Sequence, residues 1–159
     1  MERFLELLQD SNQKLRSADY ILTQTYPVVE DPRLLLSIIQ KVFSALEDSM
    51  TSLLYIERYY KRIPPFEDTF RAKFDIFRYK LVNDYNINRE YLLLIKDIEE
   101  ILRAQKNSPM TFSRKGKFVI CTDNYRTREI TFQGVKRYIE KSKDFFRTIN
   151  RVVGKYGRI

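Results

Sequence analysis

The chain has 159 residues, with 29 Lys and Arg against 21 Asp and Glu, and it contains neither His nor Trp. That length accommodates one ordinary hydrophobic core, and 11 Tyr and 11 Phe within a hydrophobic fraction of 43% can fill it. Without imidazoles there is no Ser-His or Cys-His nucleophile pair, and one Cys allows neither an internal disulfide nor a Cys/His metal site. The expectation is a single domain over 1–159, not an enzyme, with no cofactor and no metal. Glu2, Arg3, Glu6 and Asp10 interrupt the N-terminus where a signal peptide would be apolar. The longest uncharged run, Tyr20 to Val29, is ten residues, half the length of a membrane span, so no membrane association and a cytoplasmic location are expected.

The first 107 residues read as four helices. Phe4, Leu8, Ser11, Leu15, Ala18 and Leu22 alternate steps of four and three on one helical face, and Pro27 is expected to end it. A second helix starts at Asp31-Pro32, an N-cap acid with Pro at the first helical position, and runs to about Arg62 before Pro64-Pro65. Leu35, Ile39, Val42, Leu46, Leu53, Ile56 and Tyr60 form its stripe, broadened by Leu34, Leu36, Ile38, Phe43 and Leu54, which suits a central helix. Ser37, Ser44 and Thr51 recur every seven residues and would let a neighbour approach closely. The third helix, about Glu67 to Asn83, turns Phe66, Phe70, Phe74, Phe77 and Leu81 inward and keeps Arg71, Lys73, Arg78 and Lys80 on its surface. The fourth has Asn88 as N-cap and carries Tyr91, Leu94, Ile95, Ile98, Ile101 and Leu102 along one side. Short connections between helices of this length favour an up-and-down antiparallel bundle.

The pattern changes after Ser108-Pro109. Thr111 to Arg114 and Lys117 to Thr122 are β-prone runs flanking Lys115-Gly116, the pattern of a β-hairpin. Asp123-Asn124-Tyr125 reads as a turn, and Thr131 as the N-cap of a fifth helix reaching Val153, with Gly154 as its C-cap. The fold class is therefore mainly α, an antiparallel bundle of about five helices with a short hairpin before the last.

Charge divides along the same line. Residues 1–100 carry a net −3, whereas 101–159 carry 15 basic and 4 acidic side chains, a net +11. On the fifth helix Val135, Tyr138, Ile139, Phe145, Phe146, Ile149, Val152 and Val153 occupy one arc. Lys136, Arg137, Lys141, Lys143, Arg147, Arg151 and Lys155 fill the other. Phosphate recognition requires donors repeated along a surface, and this face lies beside Arg114, Lys115 and Lys117 of the hairpin and Arg126 and Arg128 after it. Lys136, Lys143 and Arg147 are expected to form one row, with Tyr125 and Tyr156 placed to stack on an unpaired base. The bland alternative for such a face is simple solvation.

Other constellations favour structural roles. Cys121 sits in the apolar run Phe118-Val119-Ile120-Cys121, which describes a buried, inert thiol. Asp97, Glu99 and Glu100 occupy nearly consecutive helical positions and point apart, as on a solvated face. Arg114-Lys115-Gly116-Lys117 lacks the second Gly and the Ser or Thr of a phosphate-binding loop.

A long central helix within a bundle, followed by a hairpin and a last amphipathic helix, resembles the HEPN-type helical domains and related small archaeal proteins. Ribonucleases of that family share an Arg followed four to six residues later by His, and this chain has Arg126 and Arg128 but no His. The resemblance implies a noncatalytic member that dimerises or binds RNA. Together these readings give a noncatalytic nucleic-acid-binding protein, RNA favoured over DNA. Its expected site is Arg114, Lys115, Lys117, Arg126, Arg128, Lys136, Lys143, Arg147 and Arg151. The alternative is a scaffold subunit, homodimeric or meeting an acidic protein partner through the same face.

Overall fold

Phe4, Leu8, Leu15, Ala18 and Leu22 recur at helical spacing and form the buried side of the first helix. The computed structural model describes residues 2–108, 110–114, 116–121 and 126–156. Helix α1 spans Glu2–Tyr20. The chain stays helical past the expected stop at Pro27. A π-helical turn, Ile21–Thr25, widens the spiral so that Pro27 falls in the first turn of α2 (Tyr26–Val29), where its missing N–H costs nothing. The true end is Glu30, in the left-handed region at φ 55°, its N–H bonded to the Tyr26 carbonyl at 2.8 Å.

Asp31 caps the next helix, accepting a bond from the Arg33 N–H at 3.0 Å, and α3 runs over Arg33–Tyr59. Leu35, Ile38, Ile39, Val42, Met50 and Leu54 on it are wholly buried, which makes α3 the central rod. Of the three small residues expected to form its seam, Ser37 is exposed, Ser44 accepts from Lys14 of α1 at 2.7 Å and Thr51 is buried. Close approach also uses Ala45, Ser49 and Ser52: Ser11 of α1 donates to the Ala45 carbonyl and shares a hydrogen bond with Ser49, both at 2.7 Å, and Ser52 donates to the Phe4 carbonyl at 2.9 Å. These side chains lie between two helices, so their hydroxyls satisfy one another where no water reaches.

After α3 the residues 61–69 run back along it, with Phe66 stacked on Tyr55 at 6.2 Å. Thr69 then caps α4 (Phe70–Ile76) by accepting the Ala72 N–H at 3.2 Å, so the third helix begins later than Glu67. A second π-helical turn, Phe77–Leu81, leads into α5 (Val82–Asp84). Phe70 meets Phe43 at the start of this rod and Tyr85 meets Glu57 at its end, so it lies alongside α3 in the same direction. The antiparallel arrangement holds for α1 against α3, through Ser11–Ala45 and Lys41–Ser17. Lys73, expected on the surface, is buried and pairs with Asp68 at 2.6 Å, because the returning segment covers that side of α4.

Asn88 accepts the Glu90 N–H at 2.9 Å and starts α6 (Glu90–Asn107). Strands β1 (Met110–Arg114) and β2 (Lys117–Cys121) form the expected hairpin, with Phe118, Val119 and Ile120 buried. A third strand, β3 (Thr127–Ile130), pairs antiparallel with β2, placing Ile130 opposite Phe118. Three of its four residues are polar because it is an edge strand with only Ile130 buried, so the sequence carries little trace of it. The turn expected at 123–125 lies outside the described residues, and Cys121 is half-buried rather than buried.

Thr131 accepts the Gly134 N–H at 3.1 Å and opens α7 (Phe132–Tyr156). Gly154 lies within this helix and does not cap it, since Val152 and Val153 pack into the core and hold that turn helical. Helix α7 runs antiparallel to α6, as the pairs Tyr91–Thr148 and Asp97–Tyr138 show. Phe145 sits between Phe77 and Tyr91, at 5.8 and 5.2 Å, where α7, α6 and the third rod meet.

Candidate nucleic-acid interface

Helix α7 divides into the two arcs its sequence describes. Val135, Ile139, Phe145 and Ile149 are at most 1% exposed and anchor it. Lys136, Arg137, Lys141, Arg147 and Arg151 project outward on the far side.

The cations on and around this helix fall into two groups. Lys143 leaves the expected row to pair with Asp19 of α1 at 2.8 Å, a contact that ties α7 to the first helix. Arg128 on β3 donates to Asp97 of α6, and the Tyr138 hydroxyl donates to the same carboxylate. Burial, reinforced by that carboxylate, pushes the Tyr138 phenol above its ordinary value. Asp97 thus joins α6, β3 and α7, a role that the solvated-face reading missed because its partners lie 31 and 41 residues away. Lys117 pairs with Glu129 across the sheet at 3.1 Å.

Arg147 pairs with Asp144 at 2.7 Å, but both side chains are more than 60% exposed, so water screens the pair and leaves the guanidinium accessible. Lys136, Arg137, Lys141 and Arg151 have no ion-pair partner among the described residues. Arg114, at the end of β1, and Arg126, before β3, are exposed as well. Lys115 and Tyr125 of the expected site, and the side chain of Tyr156, lie outside the described residues.

Beside the basic face, α6 and α7 form an open cleft of about 560 Å³. Glu90, Leu93, Lys96, Asp97, Glu100, Tyr138 and Lys141 line it, a mixed-sign set with Asp97 already engaged. No group of three or more His, Cys, Asp or Glu among the described residues is placed to hold a metal ion. No described helix is long and apolar enough to cross a membrane. No family model, curated protein or solved structure matches the chain.

Proposed function

We propose that this is a noncatalytic nucleic-acid-binding protein, with RNA its favoured partner, that uses the outer face of α7 and the neighbouring sheet. The reading rests on one observation: four exposed cations on that face, Lys136, Arg137, Lys141 and Arg151, lack a carboxylate partner among the described residues. Side chains already paired inside the fold gain less from a phosphate, whereas free ones release counterions on contact. Arg147 and Lys117, whose pairs are exposed and screened, and the exposed Arg114 and Arg126 extend the surface, and Lys143 and Arg128 contribute chiefly to structure. The HEPN-like organisation noted above agrees with a binding role, since the Arg present has no His with which to complete the nuclease motif.

The test is filter binding to a single-stranded RNA at several salt concentrations. Changing Lys136, Arg137, Lys141 and Arg151 together to Gln is expected to weaken binding and flatten the log–log salt slope by about 0.7 to 0.9 per lost phosphate contact. The thermal melt is expected to stay close to wild type, because all four side chains face solvent. Lys143→Gln is the control, costing up to about 1 kcal/mol of stability with little change in slope. An unchanged slope in the folded quadruple variant removes this face as an RNA site, and loss of an acidic protein partner from the same variant identifies a scaffold surface instead.

A further inference from the structure

Within residues 1–100, which carry a net −3, lies a cleft lined by cations. It is about 410 Å³ and is lined by Arg3, Phe4, Tyr55, Arg58 and Tyr59, two guanidiniums and three aromatic rings, with no carboxylate among the described lining residues. The Arg58 guanidinium is held over the Tyr55 ring at 4.6 Å and over Phe66 at 4.9 Å, so rings set its position, and the neighbouring Asp68 carboxylate acts on it only from beyond ion-pair distance. Tyr59 is 53% exposed and touches Tyr60 only edge to face, at 5.1 Å, which leaves ring surface open to solvent. Arg3 pairs with Glu6 at 3.1 Å, and with both side chains nearly 60% exposed that pair is weak enough to yield to a phosphate.

We infer that this cleft binds a nucleoside phosphate, its base stacking on Tyr59 and its phosphate meeting Arg3 and Arg58. Aromatic faces attract any base, and guanidiniums suit phosphate oxygens because they donate two parallel hydrogen bonds. The volume falls within the usual range of about 300 to 1,000 Å³ for small-ligand sites. The two rings favour this Arg58 position before any ligand arrives, which removes part of the ordering cost of binding. The site is separate from the α7 face. On α1, Arg3 and the Asp19 that meets α7 are about 160° apart around the helix axis, at 3.6 residues per turn. The ligand is either a free nucleotide or one unit of a nucleic-acid strand, and the same chemistry recognises both.

Calorimetric titration of the full chain with adenosine 5′-monophosphate, a single-stranded hexaadenylate and inorganic phosphate tests this assignment. Saturable binding of the monophosphate or the hexamer is expected, with inorganic phosphate far weaker because it offers no base. Tyr59→Ala is expected to weaken binding by about fivefold to a hundredfold, the range for one lost stack, and Arg3→Gln also to weaken it. Both side chains are exposed, so both variants should fold, as a thermal melt would verify. A hexamer more than tenfold tighter than the monophosphate identifies a strand as the source, and equal affinities identify the free nucleotide. No binding by wild type at millimolar ligand, inorganic phosphate binding as well as the nucleotide, or folded Tyr59→Ala and Arg3→Gln variants with unchanged affinity would each overturn the assignment. The α7 quadruple variant should retain monophosphate binding, so a failure here is separable from a failure of the RNA-binding proposal.

Discussion

Glu57 lies in the core of α3 with none of its surface exposed, and two side chains from elsewhere in the chain satisfy it. Arg62 donates to its carboxylate at 3.1 Å, and the Tyr85 hydroxyl donates to the other oxygen. Burial first, and then the neighbouring carboxylate, raise the Tyr85 phenol to about 12 from its ordinary 10.0. The folded state therefore keeps a proton that the unfolded chain releases near pH 10, so this contribution to stability is complete below pH 10. It is lost as pH rises towards 12. Denaturant titrations across that window are expected to show stability falling with pH, and falling less steeply in Tyr85→Phe. Tyr138 and Tyr26 shift in the same direction, so some of the slope remains. At neutral pH the same substitution is expected to cost about 1 to 3 kcal/mol, because the buried carboxylate loses a donor. None of this pairing is visible in sequence, where Glu57 and Tyr85 stand 28 residues apart and look like surface residues.

At the scale of elements, helix ends were readable where a side chain made the cap and unreadable where packing overruled a local signal. Asp31, Asn88 and Thr131 each accept a backbone N–H near the place their residue types indicate. Pro27 and Gly154 signal stops, yet both lie inside helices, one accommodated by a π turn and the other held by Val152 and Val153. Helix α3 closes with a Schellman motif: Lys61 takes φ 57°, its N–H bonds the Arg58 carbonyl at 3.0 Å, and the Arg62 N–H bonds that of Glu57 at 2.9 Å. A Lys side chain is strained in this left-handed position and is exposed, so Lys61→Gly is expected to stabilise the protein by about 0.5 to 1 kcal/mol in chemical denaturation. Gly154→Ala should also stabilise, by up to about 1 kcal/mol, since a Cβ there meets nothing within 4 Å and a helix favours Ala. A loss of stability in the second variant would show that residue 154 does act as a helix terminus in solution.

For the whole molecule, the decisive contacts join elements far apart in the chain. Phe145 is completely buried where α7 meets Phe77 and Tyr91, so Phe145→Ala is expected to cost about 3 to 5 kcal/mol and to lower the melting temperature of the entire chain. If α7 melted first, leaving the remaining rods intact, the transition would split into two, contrary to the continuous hydrophobic cluster that runs from Phe4 to Val153.

The amino-acid sequence by itself determined the helical character of the chain, the five rods, the hairpin and the basic outer arc of α7. Those features follow from local periodicity, turn chemistry and the sign of charge, all of which operate between near neighbours in the chain. Tertiary structure alone decided three other matters. It set the third rod parallel to α3, because Phe66 and Phe70 find their partners in Tyr55 and Phe43 as the chain doubles back. It sorted the cations, directing Lys143 to Asp19 and Arg128 to Asp97 while leaving Lys136, Arg137, Lys141 and Arg151 without an ion-pair partner among the described residues. It also brought Arg3 beside Arg58 and Tyr59, since packing α1 along α3 joins residues more than fifty positions apart. A charge or ring is legible from its residue type, but its partner depends on three-dimensional distance, which folding of the whole chain creates.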